Sequence, residues 1–267
     1  MRYLVDHDYH IHSELSDCSR DPEQSNERIL EYAKKNGYKK IVLTDHFWDE
    51  TIEGASSWYK PQDFLHISKA LPLPTAAGID FLFGCETDLD KHLTLGISKE
   101  RIEKLDFVII PTTHLHMSGF TIDQKDFSLA NRANLWVARL KAVLNMNLPF
   151  YKIGIAHLAC SLLTNSNRED YLEALSLIPT DAMHSLFKKA ADLGVGIELN
   201  ASDMSFRDNE ADTVLKMFRI AKQEGCKFYL GSDAHHPKEL QIAPKIFERA
   251  IDYLNLTEDD KFHIKEI

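Results

Sequence analysis

Short apolar runs alternate with longer stretches of helix-like character along this chain. Tyr3 to Tyr9 is the first run and Lys40 to His46 the second. Ile79 to Glu86, Leu105 to His114 and Tyr151 to His157 follow, then Val195 to Asn200 and Lys227 to Asp233. Each has the length and β-branched or aromatic content of a strand. Between them, helices are expected over Asn26–Asn36, Ser128–Leu144, Asp181–Leu193, Asn209–Glu224 and Glu239–Leu254. Ser25 has the side chain of an N-cap, and Gly37, Gly194 and Gly225 stand where helices should stop. A short helix is expected before the Leu71-Pro-Leu-Pro74 turn. Two long loops remain, Phe47 to Pro61 with Trp48, Trp58 and Tyr59, and His116 to Phe127. Such loops more often shape a site than fill space.

Strands alternating with helices argue for an α/β fold with a parallel sheet. Seven such units suggest a closed or nearly closed β/α barrel, with an open doubly wound sheet as the structural alternative. The polar residues decide between them. His10, His12, His46, Glu86, His114, His157, Asp233 and His235 all fall at expected C-terminal strand ends. In a barrel those ends converge on one face. In an open sheet the two edges could not reach one site.

Composition adds limits. The chain has 267 residues, enough for one large α/β domain. No apolar run approaches the ~18 residues of a membrane span, and the N-terminus lacks a signal-peptide core. A cytoplasmic protein without a membrane partner is expected. Cys18, Cys85, Cys160 and Cys226 are widely spaced and read as reduced thiols. The net charge of −10 disfavours long nucleic acid as a partner. Clustered carboxylates binding dications would account for part of that excess.

His10-x-His12 carries the first chemical signal. In a strand, both imidazoles share one face and can grip one metal ion. Asp17 follows closely enough to fold back on them. The ordered set His10-x-His12 with Asp17, Thr44-Asp-His46, Gly84-Cys-Glu86, His114, His157 and Gly231-Ser-Asp-Ala-His235 resembles the motifs of the PHP (polymerase and histidinol phosphatase) superfamily. The resemblance spans Asp8 to Pro237, and it implies a single domain with a distorted seven-stranded (β/α)7 TIM-like barrel.

It also implies three divalent transition-metal ions, Zn, Mn or Fe. By position, His10, His12, Glu86 and Asp233 would hold the first. Asp17, His46 and His235 would hold the second, and His114, His157 and a bridging Glu86 the third. The implied reaction is hydrolysis of a phosphomonoester by metal-bound hydroxide, with Asp233 or His235 moving the proton. The substrate would be a small phosphorylated metabolite, with histidinol phosphate a candidate. Arg207 lies near the position of a substrate arginine in histidinol phosphatases, and Arg20 is a second candidate phosphate anchor. A nuclease or nucleotide phosphodiesterase of the same superfamily, an amidohydrolase and a non-catalytic metal-binding module are the competing readings.

Other residues fall into supporting places. Asp8 and Asp45 are expected to orient a ligand histidine. His114 and His116 have the same strand parity, and the shorter distance from the strand assigns the ligand position to His114. His66, His92, His184 and His263 have no partner motif and read as surface or structural residues.

Overall fold

The structure, a computed structural model, describes residues 1–264. Its centre is one parallel sheet. The strands are β1 (His7–Ile11), β2 (Lys40–Leu43), β3 (His46–Phe47), β4 (Asp80–Thr87), β5 (Phe107–Pro111), β6 (Ile153–Ala156), β7 (Gly196–Asn200) and β8 (Lys227–Gly231). Seven of them run in the order β1-β2-β4-β5-β6-β7-β8, and the two-residue β3 pairs with β4 beside β2. The result is a nearly closed barrel of seven parallel strands with helices between them.

The seam between β8 and β1 is closed at its C-terminal end. Ile11 bridges Ala234, the Asp233 N–H donates to His10 O (2.7 Å) and the His12 N–H donates to Ala234 O (3.1 Å). Lower down, side chains take over. Leu230 N–H donates to His7 Nε2 (3.1 Å), and Ser232 N–H to Asp8 Oδ1 (2.9 Å). Burial pushes the Asp8 carboxyl up to about 7, against the bonds from Ser232 and His10.

The helices are α1 (Asn26–Asn36), α2 (Phe64–Ile67), α3 (Lys99–Glu103), α4 (Leu129–Asn145), α5 (Arg168–Leu177), α6 (Thr180–Leu193), α7 (Ala211–Gln223) and α8 (Pro237–Leu254). Ser25 caps α1 through its hydroxyl, and Gly37 and Gly194 end α1 and α6 in the left-handed region, where a Cβ would be strained. Helices α3 and α5 fall where the pattern offers no assignment. The strands are shorter than expected: β1 starts at His7, not Tyr3, and β5 stops at Pro111, three residues before His114.

The lumen is filled rather than hollow. Tyr9, Phe107, Tyr229 and Phe262 pack there, with Tyr9 stacked on Tyr229 at 5.9 Å. Gly154 makes room for them, since a Cβ there would meet Phe107 Cζ at 2.7 Å. A register shift between Asp8 and Ile11 lets consecutive residues Tyr9 and His10 both serve the interior. The plug floors the site, so groups at the C-terminal rim cannot sink away from one another.

Candidate metal centre

Two strand pairings set the height of the first ligands. In the β3–β4 register His46 stands opposite Glu86. At the seam, the Ile11–Ala234 bridge brings Asp233 beside His10 and His12. His114 and His157 follow β5 and β6 on the same rim. His157 and Asp233 have φ of 56° and 53°, a left-handed conformation uncommon for residues with a Cβ. Strain of this kind concentrates at functional sites, where the surroundings hold it.

Glu86 is fully buried, and its two oxygens point opposite ways. Oε2 lies 3.4 Å from His10 Nε2, 3.3 Å from His12 Nε2 and 3.0 Å from His46 Nδ1. Oε1 lies 3.5 Å from His157 Nε2 and 4.0 Å from His114 Nε2. Asp233 is split in the same way. Its Oδ1 is 3.4 Å from His10 Nε2 and 3.2 Å from His12 Nε2, and its Oδ2 is 3.4 Å from His157 Nε2. Two carboxylates thus span two groups of imidazoles.

These spacings fit divalent transition metals. Ligands about 2.0–2.2 Å from a tetrahedral ion stand roughly 3.3–3.6 Å apart. Neither Glu86 oxygen has a hydrogen-bond donor among the described residues. One proton could bridge His10 Nε2 and His12 Nε2, which are 3.1 Å apart, but Glu86 would still lack a donor. A buried carboxylate is costly unless paired or bound to a cation. Burial opposes ionisation of Glu86, yet His46 and His10 hold it well below the usual carboxyl range. Burial also opposes ionisation of Asp233, and His10 and His157 overcome it. Burial pushes His46 well below its ordinary value, whereas His10, His12 and His157, beside the carboxylates, are raised.

Of five groups of donors close enough to share an ion, three combine the residues expected from the sequence: His10, His12, Glu86 and Asp233; Glu86, His114 and His157; and His12, His46 and His235. The other two are His10, His157 and Glu198, and His157, Cys160 and Asp203. Asp17 is not among them. Its carboxylate pairs with Arg20 on the outside of the turn, and Ser16 takes the inward place, with Oγ 2.9 Å from His12 Nδ1. Because Ser16 occupies that nitrogen, His12 offers a metal only Nε2. The third group then rests on His46 and His235, whose Nδ1 is 2.8 Å from Asp233 O.

Further residues orient the candidate ligands. Glu198, in the middle of β7, has Oε1 2.5 Å from His10 Nδ1 and accepts His157 N–H on Oε2 (3.0 Å). Asp88 Oδ2 lies 3.1 Å from His114 Nδ1, and Asp88 is itself held by buried Arg139 at 2.8 Å. Asp203 Oδ1 is 3.9 Å from His157 Nδ1. Asp45 acts through Ser16, accepting its hydroxyl at 2.6 Å, whereas Asp8 holds the seam backbone rather than an imidazole.

The cluster opens into a cleft of about 580 Å³. His116 lines it but is exposed, and it belongs to none of the three groups. Neither Arg20 nor Arg207 lines it. Both side chains are exposed, and the Arg207 backbone N–H donates to Glu210. Among the described residues no helix is long and apolar enough to cross a membrane.

The parallel β/α barrel thus carries, at its C-terminal rim, a buried imidazole–carboxylate cluster able to hold divalent metal ions. The PHP domain profile matches residues 8–202, and the chain belongs to that family, which places it among hydrolases of phosphoric esters. Its structure is similar to that of histidinol phosphate phosphatase from Lactococcus lactis subsp. lactis, solved with zinc, L-histidinol and phosphate. That match has a TM-score of 0.57 and 20% identity over 93% of this chain and 94% of that one. A Listeria monocytogenes protein assigned as a histidinol phosphatase matches with TM-score 0.58 and 13% identity over 87% and 96%. No curated protein matches the chain.

Proposed function

We propose that the chain hydrolyses a small phosphomonoester at a trinuclear centre of divalent transition metals, acting as one domain throughout. The observation that carries this is the split of Glu86 and Asp233, each with its two oxygens turned to different imidazoles. Carboxylates placed in this way would hold more than one ion beside the same substrate, the arrangement that suits in-line displacement at phosphorus. When bound, the ions would supply positive charge for the phosphate oxygens and acidify water.

The protein's own part is positional. His10, His12, Glu86 and Asp233 would hold the first ion, His46 with His235 the second, and Glu86, His114 and His157 the third. Asp233 and His235, the more exposed members at 17% and 23% of the side chain, stand where a proton could pass to the leaving oxygen. Arg20 and Arg207 remain proposals as phosphate anchors only through movement of their exposed side chains.

Histidinol phosphate is a candidate substrate on the strength of the ligands in the Lactococcus structure alone, and it would put the enzyme in histidine biosynthesis. A nuclease reading has less support, because no Lys or Arg among the described residues lines the cleft to follow a phosphate backbone. Free cysteines fit a cytoplasmic setting.

The test is release of phosphate from p-nitrophenyl phosphate by chelated and Mn²⁺-restored protein, beside Glu86→Gln. Activity that returns with metal in wild type but not in Glu86→Gln supports the reading. Full activity in Glu86→Gln overturns it.

A further inference from the structure

We propose that the cleft selects a phosphomonoester whose alcohol half is uncharged and bears an aromatic or apolar group, received by Trp58, Tyr59, Met117 and Leu162. This selection presupposes the phosphatase reading, adds a substrate class to it, and sets histidinol phosphate aside, because the wall leaves its ammonium without a partner.

The chemistry of the lining carries the proposal. Outside the ligand cluster, the wall is Trp58, Tyr59, Met117 and Leu162 with the thiols of Cys18 and Cys160. Its remaining polar groups are Ser161, Ser202 and His116. The lining carboxylates are Glu86 and Asp233, both turned to imidazoles, and no Lys or Arg lines the cleft among the described residues. An ammonium on the substrate would find no free carboxylate, and a second phosphate no cation. A charge buried without a partner is strongly penalised. An apolar ring displaces water from this wall at no such cost.

The wall is built before any ligand arrives. Trp58 sits edge-on to His46 (centroids 4.9 Å apart) and to Tyr59 (4.7 Å). Tyr59 packs on Phe120 at 5.5 Å, and Trp48 packs on Phe120 at 5.3 Å. Gln62 Nε2 donates to Trp58 O (3.1 Å), and Trp48 N–H donates to Gln62 O (3.0 Å). The loop carrying Trp58 and the loop carrying Met117 are therefore fastened together by one aromatic cluster. The cleft volume of about 580 Å³ accommodates a phosphate and a ring.

The test compares esters of primary alcohols, so that leaving-group chemistry differs little: phenethyl phosphate, ethyl phosphate, phosphoethanolamine, propanediol bisphosphate and histidinol phosphate. For the Mn²⁺-loaded enzyme, kcat/KM for phenethyl phosphate should exceed that for the charged esters roughly tenfold or more. Trp58→Ala should lower the phenethyl-to-ethyl ratio of kcat/KM mainly through KM, and Trp58→Phe should restore it. Calorimetry should show phenethylphosphonate binding more tightly than aminoethylphosphonate. Equal rates across the panel, or a preference for histidinol phosphate or phosphoethanolamine, would overturn the selection while leaving the phosphatase standing. Hydrolysis of none of the esters would overturn both.

Discussion

Nδ1 of His10 lies 2.5 Å from Oε1 of Glu198, and both side chains are fully shut off from solvent. The contact fixes the ring so that Nε2 faces Glu86 and Asp233. Loss of a carboxylate behind a metal-bound histidine typically costs about 10–100-fold in metal affinity. Glu198→Gln should therefore bind metal at least roughly tenfold more weakly in chelator competition. Unchanged affinity would show that His10 needs no such partner.

Behind His114 the support is longer. Arg139 is 1% exposed and gives Asp88 a 2.8 Å bond, while Asp88 faces His114 at 3.1 Å. Arg139 also donates to Thr112 O (3.0 Å) and Leu89 O (3.1 Å), which ties the chain just after β5 to the chain just after β4. Removing one member of a buried pair costs about 3–5 kcal/mol. Arg139→Met should lose stability of that order in urea unfolding. A loss below about 1 kcal/mol would place the pair with weak surface contacts.

His114 and His116 separate by metal count. His114 Nε2 faces Glu86 Oε1, whereas His116 is exposed, with its ring centroid 5.5 Å from that of His114. Partial desolvation inside the cleft, with His114 beside it, pushes His116 down to about 4, so it lines the cleft as a neutral group at neutral pH. His114→Ala should lose one ion per chain by elemental analysis, and His116→Ala should keep all of them. The reverse result would move the ligand position two residues along.

At the opposite end of the barrel, acid sensitivity follows from Asp6. Burial opposes its ionisation, but bonds from His7 (3.1 Å) and Lys261 (3.0 Å) win and depress its pKa below the usual 3.8. A depressed carboxyl stabilises the fold above its unfolded pKa and loses that stabilisation as pH falls towards the folded value. Wild type should melt above Asp6→Asn at pH 7, and the gap should close as pH drops below about 4. A gap that widened in acid would reverse the sign and refute the account.

The convergence of His10, His12, His46, Glu86, His114, His157, Asp233 and His235 was legible from residue spacing because they are polar residues ending apolar runs, and burial of such residues demands a partner. Helix α1 was legible to the residue, since Ser25 and Gly37 mark its ends chemically. Asp17 was not. Proximity to His12 suggested a ligand, but only the turn decides that Ser16 points inward and Asp17 meets Arg20. Glu198 had a readable signal in a charge set within Val195-Gly-Ile-Glu-Leu-Asn200, which must be paired if that strand is central. Arg139 had none, because its partner Asp88 is brought to it by the packing of α4 across the sheet.

The most direct test titrates Zn²⁺ or Mn²⁺ into chelated protein while bound ions and phosphate release from one monoester are measured on the same samples. Phosphate release should be absent without metal, rise only as two or more ions bind per chain, and fall again on chelation. Phosphate release by chain holding less than one ion, or no release at full occupancy, would contradict it.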